Sequence, residues 1–143
     1  MKNKINPELL QFITNVAFVG IERGYFKEAN EILSAVLEVC PKDLNAKMTQ
    51  AMAHLFMGQL VQGVKELFDV LKQDPKNEIA KGFLAVAFKL GHIDNQALSL
   101  SQQILEHSND DTAKSIAQGI LDDYKNHISP HELQAELCTN LSK

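Results

Sequence analysis

The sequence predicts an all-α fold: an α-solenoid of about three helical hairpins, closed by further helices at the C-terminal side. Three observations carry this prediction. No segment alternates apolar and polar residues as a half-buried strand does. Apolar residues instead recur at intervals of three and four, the spacing of one helix face. Small residues also repeat at a fixed interval, with Ala17, Ala51, Ala85 and Gly119 lying 34 residues apart. A period of that length fits one helical hairpin, and hairpins repeated in tandem bury their apolar sides on one another.

The elements follow in order. The segment "NPELLQFITNVAFVGIER" opens with Asn6 as N-cap, Pro7 at the first helical position and Glu8 in the first turn. Gly24 interrupts, and a second helix is predicted from about Phe26 to Val39, stopped by Pro41. Asp43 caps a third helix that runs to about Met57, and Gly58 interrupts again. The fourth runs to about Gln73 and is stopped by Pro75. Asn77 and Glu78 start a fifth that ends near Gly91, and "IDNQALSLSQQILEHS" supplies its partner. "NDDTAKSIAQGILDDYKN" gives a seventh helix over about 110–126. "SPHELQAELCTNL" gives an eighth over about 130–142, with Ser129, Pro130 and Glu132 forming a capping box.

The repeated pattern is one of residue size. Gly24 and Gly58 are 34 apart, with Gly91 one residue early for a third copy. Ala29, Gly63 and Ala97 keep the interval inside the second helices, as do Pro41 and Pro75 after them. Two helices cross closely only where neither presents a large side chain, so small residues are required at the crossings. Glycine then makes the tight turn, and proline ends the pair.

Composition narrows the function. Of the 143 residues 45% are apolar and 22% charged, ordinary for a globular chain folding as a single domain over 1–143. A formal charge of −4 argues against nucleic acid, which needs a concentrated basic face. Arg23 is the sole arginine, so bidentate grip on phosphate or carboxylate is not expected. No stretch approaches the length of a membrane span, and "MKNKINPELL" lacks the apolar run of a secretory signal. Cys40 and Cys138 form no CxxC pair, which predicts a reducing, cytoplasmic setting without a disulfide scaffold or structural zinc.

No catalytic, metal or cofactor site is expected. No GxGxxG, Walker loop, GxSxG or HExxH occurs. His127 and His131 are four apart, but Pro130 lies between them at a helix start, so they need not share a face. His54 reads as a packed or partly exposed histidine, and Cys40 as buried packing.

Ala17, Ala29, Leu33 and Pro41, with their counterparts 34 residues on, make the chain resemble the tetratricopeptide repeat (TPR) family. The resemblance places repeats at about 10–43, 44–77 and 78–111. The copies are degenerate. Gln50 stands where an apolar residue is usual, and Ser101 and Asn109 replace an apolar residue and a proline. The resemblance implies a concave groove lined by first helices, with Phe18, Ile21, Met48, Met52, Leu55, Phe56, Ile79, Val86 and Leu90 as its partner-binding residues. It also implies that the polar clamp of chaperone-tail-binding TPR proteins is missing, because Thr14, Phe18, Met48 and Met52 occupy its places.

A groove of this composition suits an amphipathic helix or an apolar extended segment, and methionines repack easily around either. Three readings stay open: a groove free for a partner, one filled by the chain's own last helix through Leu133, Leu137 and Leu141, or some of these residues serving as core between first and second helices. Within the TPR-like proteins the chain is similar to the chaperones of bacterial type III secretion. "VAFVGIERGYFKEANEILSAVLEV" looks most like the needle-subunit branch, through Glu28, Ala29 and Asn30. That likeness implies a cytoplasmic, non-catalytic protein that sequesters an amphipathic helix of a secreted subunit, with a second small helical co-chaperone as a further partner. The competing expectation is a generic scaffold or adaptor that binds short peptides or forms homo-oligomers.

Overall fold

A computed structural model describes residues 5–126. All regular structure among them is helical: α1 (Pro7–Glu22), α2 (Phe26–Val39), α3 (Leu44–Phe56), α4 (Leu60–Gln73), α5 (Glu78–Leu90), α6 (Asp94–His107) and α7 (Asp111–Asn126). The helix expected over 130–142, with Leu133, Leu137 and Leu141, lies outside the described residues, as do His127, His131 and Cys138. The α-solenoid is present as expected.

Local chemistry sets the helix starts. Asn6 accepts a hydrogen bond from the amide of Glu8 at 2.9 Å, Asp43 from Ala46 at 3.1 Å, and Asn77 from Ala80 at 2.9 Å. Each satisfies an amide that has no partner within its own helix.

Each odd-numbered helix pairs with the even one that follows, and each even one contacts the next odd one. Helices α1, α3, α5 and α7 also touch in succession, forming one layer, while α2, α4 and α6 form the other. Equivalent residues of neighbouring repeats therefore meet. Asn45 donates to Gln11 at 3.2 Å, and Lys89 forms an ion pair with Asp123, each across 34 residues.

The layers close at small residues. Ala17, Ala51, Ala85, Ala29, Gly63 and Ala97 are all buried. A Cβ built on Gly63 would lie 2.5 Å from Cδ2 of Leu55 and 3.0 Å from the carbonyl oxygen of Ala51, so α3 and α4 touch nearly backbone to backbone. Gly119 differs: an added Cβ there would meet nothing within 4 Å, and Ala113, Ala117 and Ile120 are the buried residues of α7. Its small size is thus not used at a crossing among the described residues.

Leu33, Leu67 and Ser101, again 34 apart, are fully buried. The Ser101 hydroxyl has no hydrogen-bond partner among the described residues. Buried apolar residues form a core running from α1 to α5 and a smaller cluster of Ile104, Ala113 and Ala117, with Leu100 packed against both.

The turns correct one expectation. After α1 and α3, the amides of Tyr25 and Gln59 reach back to the carbonyls of Gly20 (2.8 Å) and His54 (2.9 Å). This is the Schellman closure, and it needs a left-handed residue just before the reaching amide. Gly24 and Gly58 supply it with φ of 88° and 81°. In the third turn that residue is His92, at φ 58°, not Gly91, whose φ is −84°. The amide of Ile93 still bonds the carbonyl of Phe88 at 2.8 Å, so the 34-residue register is kept and a non-glycine residue carries the strain. Relieving a left-handed side chain outweighs glycine's extra unfolded-state entropy. His92→Gly is expected to stabilise the fold by about 0.5–1 kcal/mol in urea denaturation. A loss of stability would contradict this account of the turn.

Candidate functional site

The layer of first helices encloses an apolar groove of about 730 Å³. Its wall is assembled from five helices: Phe18 and Ile21 of α1, Phe26 of α2, Met52 and Phe56 of α3, Phe83 of α5 and Ile116 of α7. Phe26 and Phe56 stack with ring centroids 5.4 Å apart and planes 13° from parallel. Glu22 and Arg23 stand at the α1 edge, and Asp111, Thr112 and Ser115 at the α7 edge. Helices α1 and α7 do not touch each other, which leaves the space between them open.

Of the residues named from sequence, Phe18, Ile21, Met52 and Phe56 come together in this groove. Phe56 is 41% exposed, whereas Met52 is 7% and Ile21 4% exposed. Met48 is buried in the core, and Ile79 and Val86 are half-buried against it. Leu90 is 36% exposed but is not among the residues lining the groove. Leu55 is placed differently from expectation. It lies four residues after Ala51, hence on the same helix face, and that face is pressed onto Gly63 of α4.

Three apolar lining residues were not among those named from sequence. Ile116 was within reach, because it lies 34 residues after Gly82 and packs on it, with 3.4 Å from its Cδ1 to a Cβ built at Gly82. Carrying the interval once more onto α7 finds it. Phe83 lies between Ile79 and Val86 on the same helix, yet as an apolar residue it reads equally well as core. Phe26 belongs to a second helix, where a groove built only of first helices has no place for it.

Elsewhere, a second apolar hollow of about 730 Å³ lies between α4 and the α5–α6 corner, around Val64, Phe68 and Phe88. His54 Nδ1 and Glu66 meet at 2.8 Å across the α3–α4 hairpin, and neither lines the groove. Among the described residues no group of three or more His, Cys, Asp or Glu side chains could hold a metal ion. None of the described helices is long and apolar enough to cross a membrane.

The described fold is similar to the crystal structure of a tetratricopeptide repeat protein from Parabacteroides merdae ATCC 43184, with a TM-score of 0.54. The two are 17% identical over 84% of this chain and 48% of that one. This chain thus spans about half the length of that structure. At this identity the likeness concerns the fold, and the class it defines is the TPR-like α-solenoid. No protein-family model matches the chain, and no curated protein does.

The α7 wall is tied to the rest of the solenoid through its last turns. Besides the Lys89–Asp123 pair, the Tyr124 hydroxyl donates to Asp94 at the start of α6 at 2.6 Å. Desolvation, then the hydrogen bond to Asp94 and its negative charge, push the Tyr124 phenol up from 10.0 to about 12. The folded state therefore holds this proton more tightly than the unfolded chain does. The linked stability is complete below about pH 10 and is lost as pH rises toward 12. Alkaline difference spectra between the wild type and Tyr124→Phe should place this tyrosinate step near 12. A step at the ordinary value of 10.0 would contradict the contact.

Proposed function

We propose that the chain is a non-catalytic protein-binding module that receives an amphipathic helix of a partner in the groove between α1 and α7. One observation carries this reading. Of the seven phenylalanines in the sequence, four (Phe18, Phe26, Phe56 and Phe83) converge on that groove. The chain has only 6% aromatic residues in all, so bringing four phenylalanines to one groove, with Phe83 buried at its floor, Phe18 and Phe26 half-buried and Phe56 41% exposed, concentrates its largest apolar side chains there. An apolar concavity with a thin polar rim fits a helix presenting apolar residues at i, i+3, i+4 and i+7.

In this reading Phe18, Ile21, Met52 and Phe56 touch the partner together with Phe26, Phe83 and Ile116. Met48, Leu55, Ile79 and Val86 support them from beneath, and Leu90 extends the surface along α5. A narrower form of the proposal is a cytoplasmic chaperone of type III secretion that shields the amphipathic helix of a needle subunit. It is supported by the resemblance around Glu28, Ala29 and Asn30, and by a groove suited to an aggregation-prone helix.

The test uses a labelled synthetic amphipathic helix, read by fluorescence anisotropy, and a needle subunit co-expressed with the chain. Met52 is too buried for a charge, so Phe56→Glu is the probe. It is expected to weaken the helix by roughly tenfold or more, about 1.4 kcal/mol, with far-UV circular dichroism unchanged. Unaltered affinity would refute the groove. Binding of the synthetic helix without retention of the needle subunit would refute only the narrower form.

A further inference from the structure

We propose that α1 is a self-association surface, on which two copies of this chain pair antiparallel through Leu9, Phe12, Val16 and Val19. These residues are 50%, 64%, 47% and 44% exposed, an apolar line along the outer side of the first helix. The 34-residue register shows how unusual this is. The positions of Phe12 and Val19 correspond to Ala46 and Ala53 in α3 and to Ala80 and Ala87 in α5, all at most 3% exposed. Helices α3 and α5 contact the hairpin before them through α2 and α4. Helix α1 has no such neighbour among the described residues. A repeat face on which nothing stacks is ordinarily polar. Here that face has gained bulk and stayed apolar.

The line is also self-complementary. Its spacing of three, four and three residues reads the same in both directions. A two-fold axis between Phe12 and Val16 sets Phe12 against the partner's Val16, and Leu9 against the partner's Val19. Each contact joins a larger side chain to a smaller one, as an isologous interface requires. The charges agree. The same axis brings Arg23 within about one helical turn of the partner's Glu8, and the antiparallel arrangement opposes the two helix dipoles. Within the chain neither Glu8 nor Arg23 forms an ion pair among the described residues. The four side chains expose roughly 350 Å² per copy, about 700 Å² over the pair before polar flanks are added, so the contact belongs with weak, transient interfaces.

The inference is independent of the groove, which opens on the other flank of α1 around Phe18 and Ile21. Sedimentation equilibrium of the full chain, from about 10 to 500 µM, should show a reversible monomer–dimer equilibrium within that range. Phe12→Lys and Val16→Glu should each raise its dissociation constant at least tenfold without changing helicity or the affinity of the synthetic helix for the groove. Mixing the two variants should restore a one-to-one dimer, because the pairing sets the new charges opposite each other. A wild type that stays monomeric at about 500 µM overturns the proposal, whatever else covers the stripe. So does a dimer indifferent to both substitutions, or a mixture that fails to pair.

Discussion

The structure depends on how closely α3 and α4 approach at Gly63. No Cβ fits there without displacing Leu55 or the backbone at Ala51, so the hairpin can close only around a hydrogen atom. The neighbouring hairpins carry alanines at the equivalent positions, Ala17 and Ala29 in one and Ala85 and Ala97 in the other, all of them buried. Close packing at these crossings fixes the angle of each helix pair. That angle, repeated, sets the first helices side by side.

From that arrangement the groove follows. Once the first helices form one layer, residues 34 apart become neighbours, as Gln11 with Asn45 and Gly82 with Ile116 demonstrate. Whatever the first helices carry on their free face is then displayed as a continuous strip. In this chain the strip is apolar, and aromatic where α1, α2, α3 and α5 converge. The small residues thus build a frame. Large residues on the same helices line the space that the frame leaves open.

Most of the fold is legible in the sequence because its determinants are local or periodic. Asn6, Asp43 and Asn77 announce helix starts by their own chemistry, and Pro41 and Pro75 announce ends. The third turn is harder to read. Gly91 suggests a slipped register, whereas backbone hydrogen bonding holds the register and forces His92 into the left-handed region. The groove is only half legible for a similar reason. Phe18 and Phe56 follow from helix phase, but Leu55 and Phe56 are adjacent, and only the position of α4 decides that one faces inward and the other outward. Ile116 follows from carrying the 34-residue interval onto α7, whereas Phe26 depends on how far the stack curves, which no single helix encodes.

The most direct test of this account is a double-mutant cycle at the crossing itself. Gly63→Ala should destabilise the chain by about 1–2 kcal/mol, because overpacking outweighs the better helix propensity of alanine. Leu55→Ala should cost about 2–4 kcal/mol as a core truncation. Combined, they should cost less than their sum by about 1 kcal/mol or more, since removing Leu55 Cδ2 makes room for the new methyl group. Strict additivity in chemical denaturation would show that Gly63 and Leu55 do not meet, and would contradict the close crossing on which the layer and its groove rest.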